Sequence, residues 1–192
     1  MSAIRPRPGF PRGAVIAALL IVLAIAGVLL AMDRPPICAC GTIKLWHGIV
    51  QSSENSQHLA DWYSFSHVIH GFLFYAAAHF ALRGRARGWA LPLAVAVEGF
   101  WELLENSPII INRYREATIA LGYSGDSIVN SLADIGWMAF GFSLASRLPA
   151  WVTIALAIAF ELMTLALIRD NLTLNVLMLV WPVDAIKVWQ GG

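Results

Sequence analysis

Residues Ala14 to Met32 form an unbroken apolar run of 19 residues. At about 1.5 Å per residue it is long enough to cross the roughly 30 Å hydrocarbon core of a bilayer. Cleaved secretory signals carry an apolar stretch of only about 7–15 residues, so the run reads as a signal anchor. The rest of the chain agrees, being 58% hydrophobic and 13% charged, against about 45–50% apolar and about 25% charged in ordinary soluble domains. A net charge of +1 supplies no dominant basic face, which sets aside nucleic acid as a partner and leaves the lipid bilayer as the expected one.

Four further segments have span length and hydropathy, each interrupted by a few polar residues: Trp62 to Leu82, Trp89 to Leu104, Ile128 to Ala145 and Trp151 to Ile168. The expected fold class is therefore all-α, a polytopic transmembrane helix bundle with five spans. Leu172 to Val188 carries Asn175, Pro182, Asp184 and Lys187, and it reads as a short sixth span, a re-entrant hairpin or an interfacial helix. Residues 1–13 form a cytoplasmic lead-in and 14–192 a single transmembrane domain. Arg5, Arg7 and Arg12 precede the first span, Arg83, Arg85 and Arg87 fill the next short connection on that side, and Arg147 lies in a third. These connections hold no Asp or Glu, so the positive-inside rule places the N-terminus in the cytoplasm.

What interrupts the spans carries the chemistry. On the third, Glu98, Glu102 and Glu105 are spaced i, i+4, i+7, which confines them to about 60° of one helix face. On the fourth, Asp126, Asn130 and Asp134 form a second stripe, and on the second, Tyr63, His67, His70 and Phe74 share a face. The fifth contributes Glu161. With the assigned orientation these groups fall at a similar depth, roughly 10–13 Å below the outer surface. A charge at mid-membrane costs about 2.5–3.5 kcal/mol even on lenient scales, so the expectation is one shared polar cavity open to the outer face. The competing reading makes the same acids hydrogen-bonding glue between helices.

His67 and His70 with the neighbouring carboxylates supply ligands that zinc, iron or manganese accept. No HExxH or ExxH signature occurs, so metal and cofactor stay unassigned. In the outer loops, Arg113 and Arg115 offer guanidiniums to an anionic headgroup, as does Arg169 beyond the fifth span. Residues 122–127 lack the GxSxG elbow spacing of a serine hydrolase; their glycines make a turn, with Ser124 or Asp126 expected to cap the fourth helix. Cys38 and Cys40 stand one residue apart, a spacing that strains a mutual bridge and matches no usual zinc or redox motif, so two free thiols are expected.

These residues also carry a resemblance. Lys44 to Gly48, Asn55 to Leu59, Asp61 to Tyr63 with Ser66, His67, His70 and Gly71, Glu102 to Asn106, Gly122 to Ser127 with Asn130, and Ile168 to Asn171 together resemble uncharacterised protein family 0314, bacterial multi-pass inner-membrane proteins. The resemblance implies an inner-membrane location and brings no activity with it. Asp126, Asn130, Asp134 and Gly141 are similar to one helix of VanZ-like membrane proteins, which implies envelope lipids or glycans as partners.

Three function classes fit this pattern. The first binds or acts on an anionic lipid or envelope precursor, with Glu102 and Asp134 as general base or metal ligands and His67 or His70 as partner acid. Glu98, Glu105, Asn130, Asp126, Glu161, Arg113, Arg115 and Arg169 then bind. The second is a cation or proton-coupled transporter, in which the same groups form a relay. The third is a non-catalytic membrane assembly protein with a structural polar core.

Overall fold

A computed structural model describes residues 10–82, 87–118 and 122–191. All regular structure among them is helical: α1 (Arg12–Ala31), α2 (Ser64–Leu82), α3 (Ala90–Glu105), α4 (Pro108–Ala117), α5 (Ile128–Ala145), α6 (Ala150–Ile168), α7 (Leu172–Val180) and α8 (Asp184–Gly191). Arg5, Arg7, Arg83 and Arg85, on which the orientation argument leans, lie outside the described residues.

Four helices, α1, α2, α5 and α6, are long and apolar enough to cross a membrane by length and composition. The third of the five expected spans does not meet that measure. The third segment becomes α3, which has only 16 residues, because Asn106 and Ser107 end it and Pro108 starts a new helix at its first turn. That new helix, α4, lies where a loop was expected, with Ile111, Tyr114 and Ala117 buried along one face. The last apolar piece is likewise two short helices, since Trp181 caps α7 and Pro182, lacking an N–H, cannot continue it.

Local chemistry sets the remaining ends. α5 begins at Ser127, whose hydroxyl accepts from the Asn130 amide; neither Ser124 nor Asp126 is the cap. Asn171 caps α7 by accepting from the Leu174 amide at 2.8 Å. α6 stops at Arg169, which takes a left-handed φ of 55°.

Glycines bring α2 and α5 together. A Cβ on Gly71 would lie 2.1 Å from the Met138 carbonyl oxygen, and one on Gly141 would lie 2.2 Å from that of Val68. Backbone therefore meets backbone, the close approach that small residues permit between membrane helices. Across α1, α3 and α5, buried Ile25, Leu29, Val95, Ile135, Met138 and Phe142 form the apolar core. The outer faces are apolar too: Leu19, Leu20 and Leu23 on α1 and Ile154 and Leu162 on α6 are more than half exposed, as expected of surfaces facing lipid.

One end of the bundle carries all the long connections. The segment between α1 and α2 is stitched to the start of α5: Asn130 Nδ2 donates to the His58 carbonyl at 2.8 Å, Trp137 Nε1 to that of Leu59, and the Ser127 hydroxyl to that of Gln57. Arg34 reaches across to the Ser124 and Asp126 carbonyls. Cys38 and Cys40 are joined as a disulfide, with Cα atoms 5.1 Å apart, instead of standing as free thiols. The tight turn ending at Gly41, whose amide donates to the Cys38 carbonyl, folds the pair to within bridging reach.

Candidate functional site

At that end, one turn into α2, His67 faces the acids of α3 and α5. Its Nδ1 donates to Glu98 Oε1 at 2.6 Å and lies 3.8 Å from Glu102 Oε1. Its Nε2 lies 3.7 Å from Asp134 Oδ2. His70, one turn deeper, gives its Nδ1 to both Glu98 oxygens, at 3.0 and 3.1 Å. Helical spacing builds this cluster, since Glu98 and Glu102 share a face of α3 and His67 and His70 a face of α2. Glu98 is fully buried, Glu102 is 1% exposed and Asp134 5%.

The hydrogen bonding is uneven. Glu98 has two imidazole partners, whereas neither oxygen of Glu102 and not Oδ1 of Asp134 has a hydrogen-bond partner among the described residues. Buried polar atoms are seldom left in that state. Three ligand-bearing sets overlap here: His67, His70 and Glu98; His67, Glu102 and Asp134; and Glu102, Glu105 and Asp126. Within each, one donor atom per residue lies within 4.8 Å of the others.

Beside the cluster lies a recess of about 340 Å³. Polar His67, His70, Glu98, Glu105, Asp126, Asn130 and Asp134 and apolar Phe74, Val97, Phe100, Trp101, Leu104, Leu172 and Val176 line it. Tyr63, Tyr114 and Tyr123 border it with their phenols: Tyr63 donates to Asp170 Oδ2 at 3.1 Å, Tyr114 to Asn175 Oδ1 at 3.0 Å and Tyr123 to Asp126 Oδ1 at 2.8 Å.

In the connections outside the long helices, burial controls the acids. It raises Asp126 to about 6, against the hydrogen bonds from Tyr123 and Asn106 that pull it down. Asp61 and Asp170 are raised by burial as well. Glu54, partly exposed, is lowered by the Lys44 ammonium that bonds it.

Several predicted residues go elsewhere. Glu161 does not reach the recess: its carboxylate accepts from the Leu172 amide at 2.9 Å, and from the Thr173 amide and hydroxyl, capping α7 where the helix dipole favours negative charge. Arg113 Nε donates to the Leu179 carbonyl, Arg115 to that of Tyr123 and Arg169 to that of Trp189. None of the three guanidiniums lines the recess. Asn130 borders it, with its amide committed to the His58 carbonyl.

Comparison with known proteins matches residues 29–192 to the family described as Protein of unknown function (DUF2585). The chain belongs to this family. Relatives named UPF0314 protein include one from Novosphingobium aromaticivorans, 62% identical over 186 residues covering 94% of each chain. Another, from Sphingopyxis alaskensis, is 60% identical over 180 residues, 94% of this chain and 95% of its own. The family is the one that the quoted motifs resemble. No solved structure matches the chain.

The matched region contains every acid and histidine of the cluster, together with groups that spacing alone does not reveal. Arg34, Asn106, Tyr114 and Asp170 each bond into or around the recess across long sequence separations, and Tyr123 bonds Asp126 three residues on. Their only signal is an unusual density of hydrogen-bonding residues in loops next to the spans. Trp101 is invisible in another way, being one of eight tryptophans with nothing local to separate it from a packing residue.

Proposed function

We propose that this family member is a multi-pass inner-membrane protein, with its N-terminus in the cytoplasm and its recess open toward the outer side, that binds an envelope lipid or lipid-linked precursor. One observation carries the reading: the recess is lined by buried acids and imidazoles together with apolar residues, and several of those apolar residues are also exposed on the protein surface. Val97 and Phe100 of α3 line the recess and are 47% and 65% exposed. Val176 of α7 also lines it and is half exposed. An amphiphile entering sideways keeps its chain against these residues while its headgroup meets His70, Glu98, Asp134 and the tyrosines.

The polar lining is rich in acceptors and holds no guanidinium among the described residues, so hydroxyl or amine groups suit it directly. Glu102 and Asp134, close to an imidazole, form the acid–base set that chemistry on such a headgroup requires. The transporter reading finds less support. Beyond the cluster the core is Ile135, Met138 and Phe142, apolar and buried, which gives an ion no polar path among the described residues.

Native mass spectrometry of the full-length protein in detergent, with phosphatidylglycerol or a polyprenyl phosphate added, tests the binding. The wild type retains one lipid per chain, and Val176→Trp, which fills the mouth, reduces occupancy at least ten-fold. Equal occupancy in the two proteins refutes the reading.

A further inference from the structure

The cluster holds more carboxylates than its imidazoles can partner. Glu98, Glu102 and Asp134 are buried within reach of two imidazoles, and both of these are held by Glu98. An unpaired buried carboxylate is costly. If Glu102 and Asp134 were simply protonated and served as glue, each would be expected to give its proton to an acceptor. Instead both Glu102 oxygens and Asp134 Oδ1 are without a hydrogen-bond partner.

The separations fit a different occupant. His67 Nε2 and Asp134 Oδ2 are 3.7 Å apart, too far for a hydrogen bond. Donor atoms bound about 2.0–2.1 Å from one four-coordinate ion lie roughly 3.3 Å apart, so a small inward movement completes the contact. His67, Glu102 and Asp134 each present a donor atom within 4.8 Å of the other two; Glu102 Oε1 lies 3.8 Å from the ring's Nδ1, so the Glu102 carboxylate swings toward Nε2 to join Asp134. Behind the imidazole, Glu98 accepts the Nδ1 proton at 2.6 Å, which leaves Nε2 free to ligate. A carboxylate holding a ligating histidine in this way is a recurrent feature of metal sites.

We propose that His67, Glu102 and Asp134 hold one divalent first-row transition-metal ion, with Glu98 orienting the His67 ring. One nitrogen and two carboxylate ligands, without sulfur, suit zinc or manganese. His67 and Asp134 both border the recess, so the ion's open position faces it. In that respect the inference rests on the amphiphile reading: the ion supplies a fixed positive charge beside the acids that line the recess, and admits a phosphate-bearing headgroup among them.

The test uses full-length protein in detergent, stripped with a chelator and then dialysed against micromolar zinc or manganese. Wild type, Glu116→Gln and His79→Gln take up one ion per chain by elemental analysis. Glu102→Gln and Asp134→Asn retain less than a fifth of that while still eluting as monodisperse protein. Glu98→Gln, altering a positioning residue, weakens the metal dissociation constant about 10–100-fold. Should the acid variants fail to fold, cobalt(II)-loaded wild type decides: visible bands of a nitrogen–oxygen site support the proposal. A thiolate charge-transfer band, which requires the Cys38–Cys40 bridge to be open, places the ion instead at the other donor cluster, Cys38, Cys40, Glu54 and His58, and overturns it. So does uptake that Glu102→Gln and Asp134→Asn leave unchanged, or absence of uptake by the wild type. Val176→Trp keeps the metal while losing lipid, so failure of lipid binding alone is distinguishable from failure of the metal site.

Discussion

Gly71→Ala tests the contact that holds the site together. The new Cβ would sit 2.1 Å from the Met138 carbonyl oxygen, 2.4 Å from the Phe142 nitrogen and 2.8 Å from the Gly141 carbonyl carbon. The first is more than about 1.3 Å inside ordinary contact, and all three atoms are backbone, so no side-chain rotation relieves them. α2 and α5 must separate or slide. Overpacking of this kind costs about 1–3 kcal/mol, and a chain of this size loses about 2–4 °C in Tm for each kcal/mol, so a fall of roughly 2–12 °C is expected. Gly136 of α5 is the internal control: its added Cβ meets nothing within 4 Å, and replacing glycine by alanine within a helix is favourable by about 0.5–1 kcal/mol. The assay is thermal unfolding in one detergent, followed by loss of monodisperse protein. His67 lies one turn before Gly71 and Asp134 one turn before Met138, so the same displacement alters the 3.7 Å separation between them and lowers metal uptake. Equal melting of Gly71→Ala and Gly136→Ala, within about 1 °C, would refute the backbone-contact account.

The remaining predictions concern the connections. Because Asp126 is raised to about 6 by burial, its ionised form burdens the folded state above that pH, and the burden is relieved as pH falls through 6 toward its unfolded value. Wild-type Tm therefore gains an increment between pH 8 and 5 that Asp126→Asn lacks; parallel profiles for the two proteins would contradict this. Glu161→Gln removes the carboxylate at the start of α7 and costs about 1 kcal/mol. Amide exchange should quicken at Leu172 and Thr173 while lipid and metal occupancy stay unchanged, and reduced occupancy would return Glu161 to the site. Arg34→Ala frees the Ser124 and Asp126 carbonyls, so proteolysis should cut faster across residues 122–127; an unaltered rate would mean that Arg34 does not hold this turn.

Much of the site was legible because helices repeat locally. The i, i+4, i+7 spacing of Glu98, Glu102 and Glu105 puts them on one face whatever surrounds the helix, and His67 and His70 follow the same arithmetic. Glu161 shows where such arithmetic stops. Its depth estimate was compatible with the cavity, but the rotation of α6 and the placement of α7 give it three donors at a helix start. Arg113 and Arg115 were read as headgroup anchors because a loop was expected there. Once α4 forms, their guanidiniums bond backbone carbonyls.

The acid and histidine stripes and the apolar runs are thus set by the chain itself, since hydropathy and the 3.6-residue period are properties of neighbours in sequence. Tertiary packing decides which stripe meets which. The glycine contact of α2 with α5 sets His67 against Asp134, and the loop stitched to α5 sets the borders of the recess. Both depend on helix rotation and on partners some 70 residues apart, such as Asn130 and His58, and no local pattern encodes either.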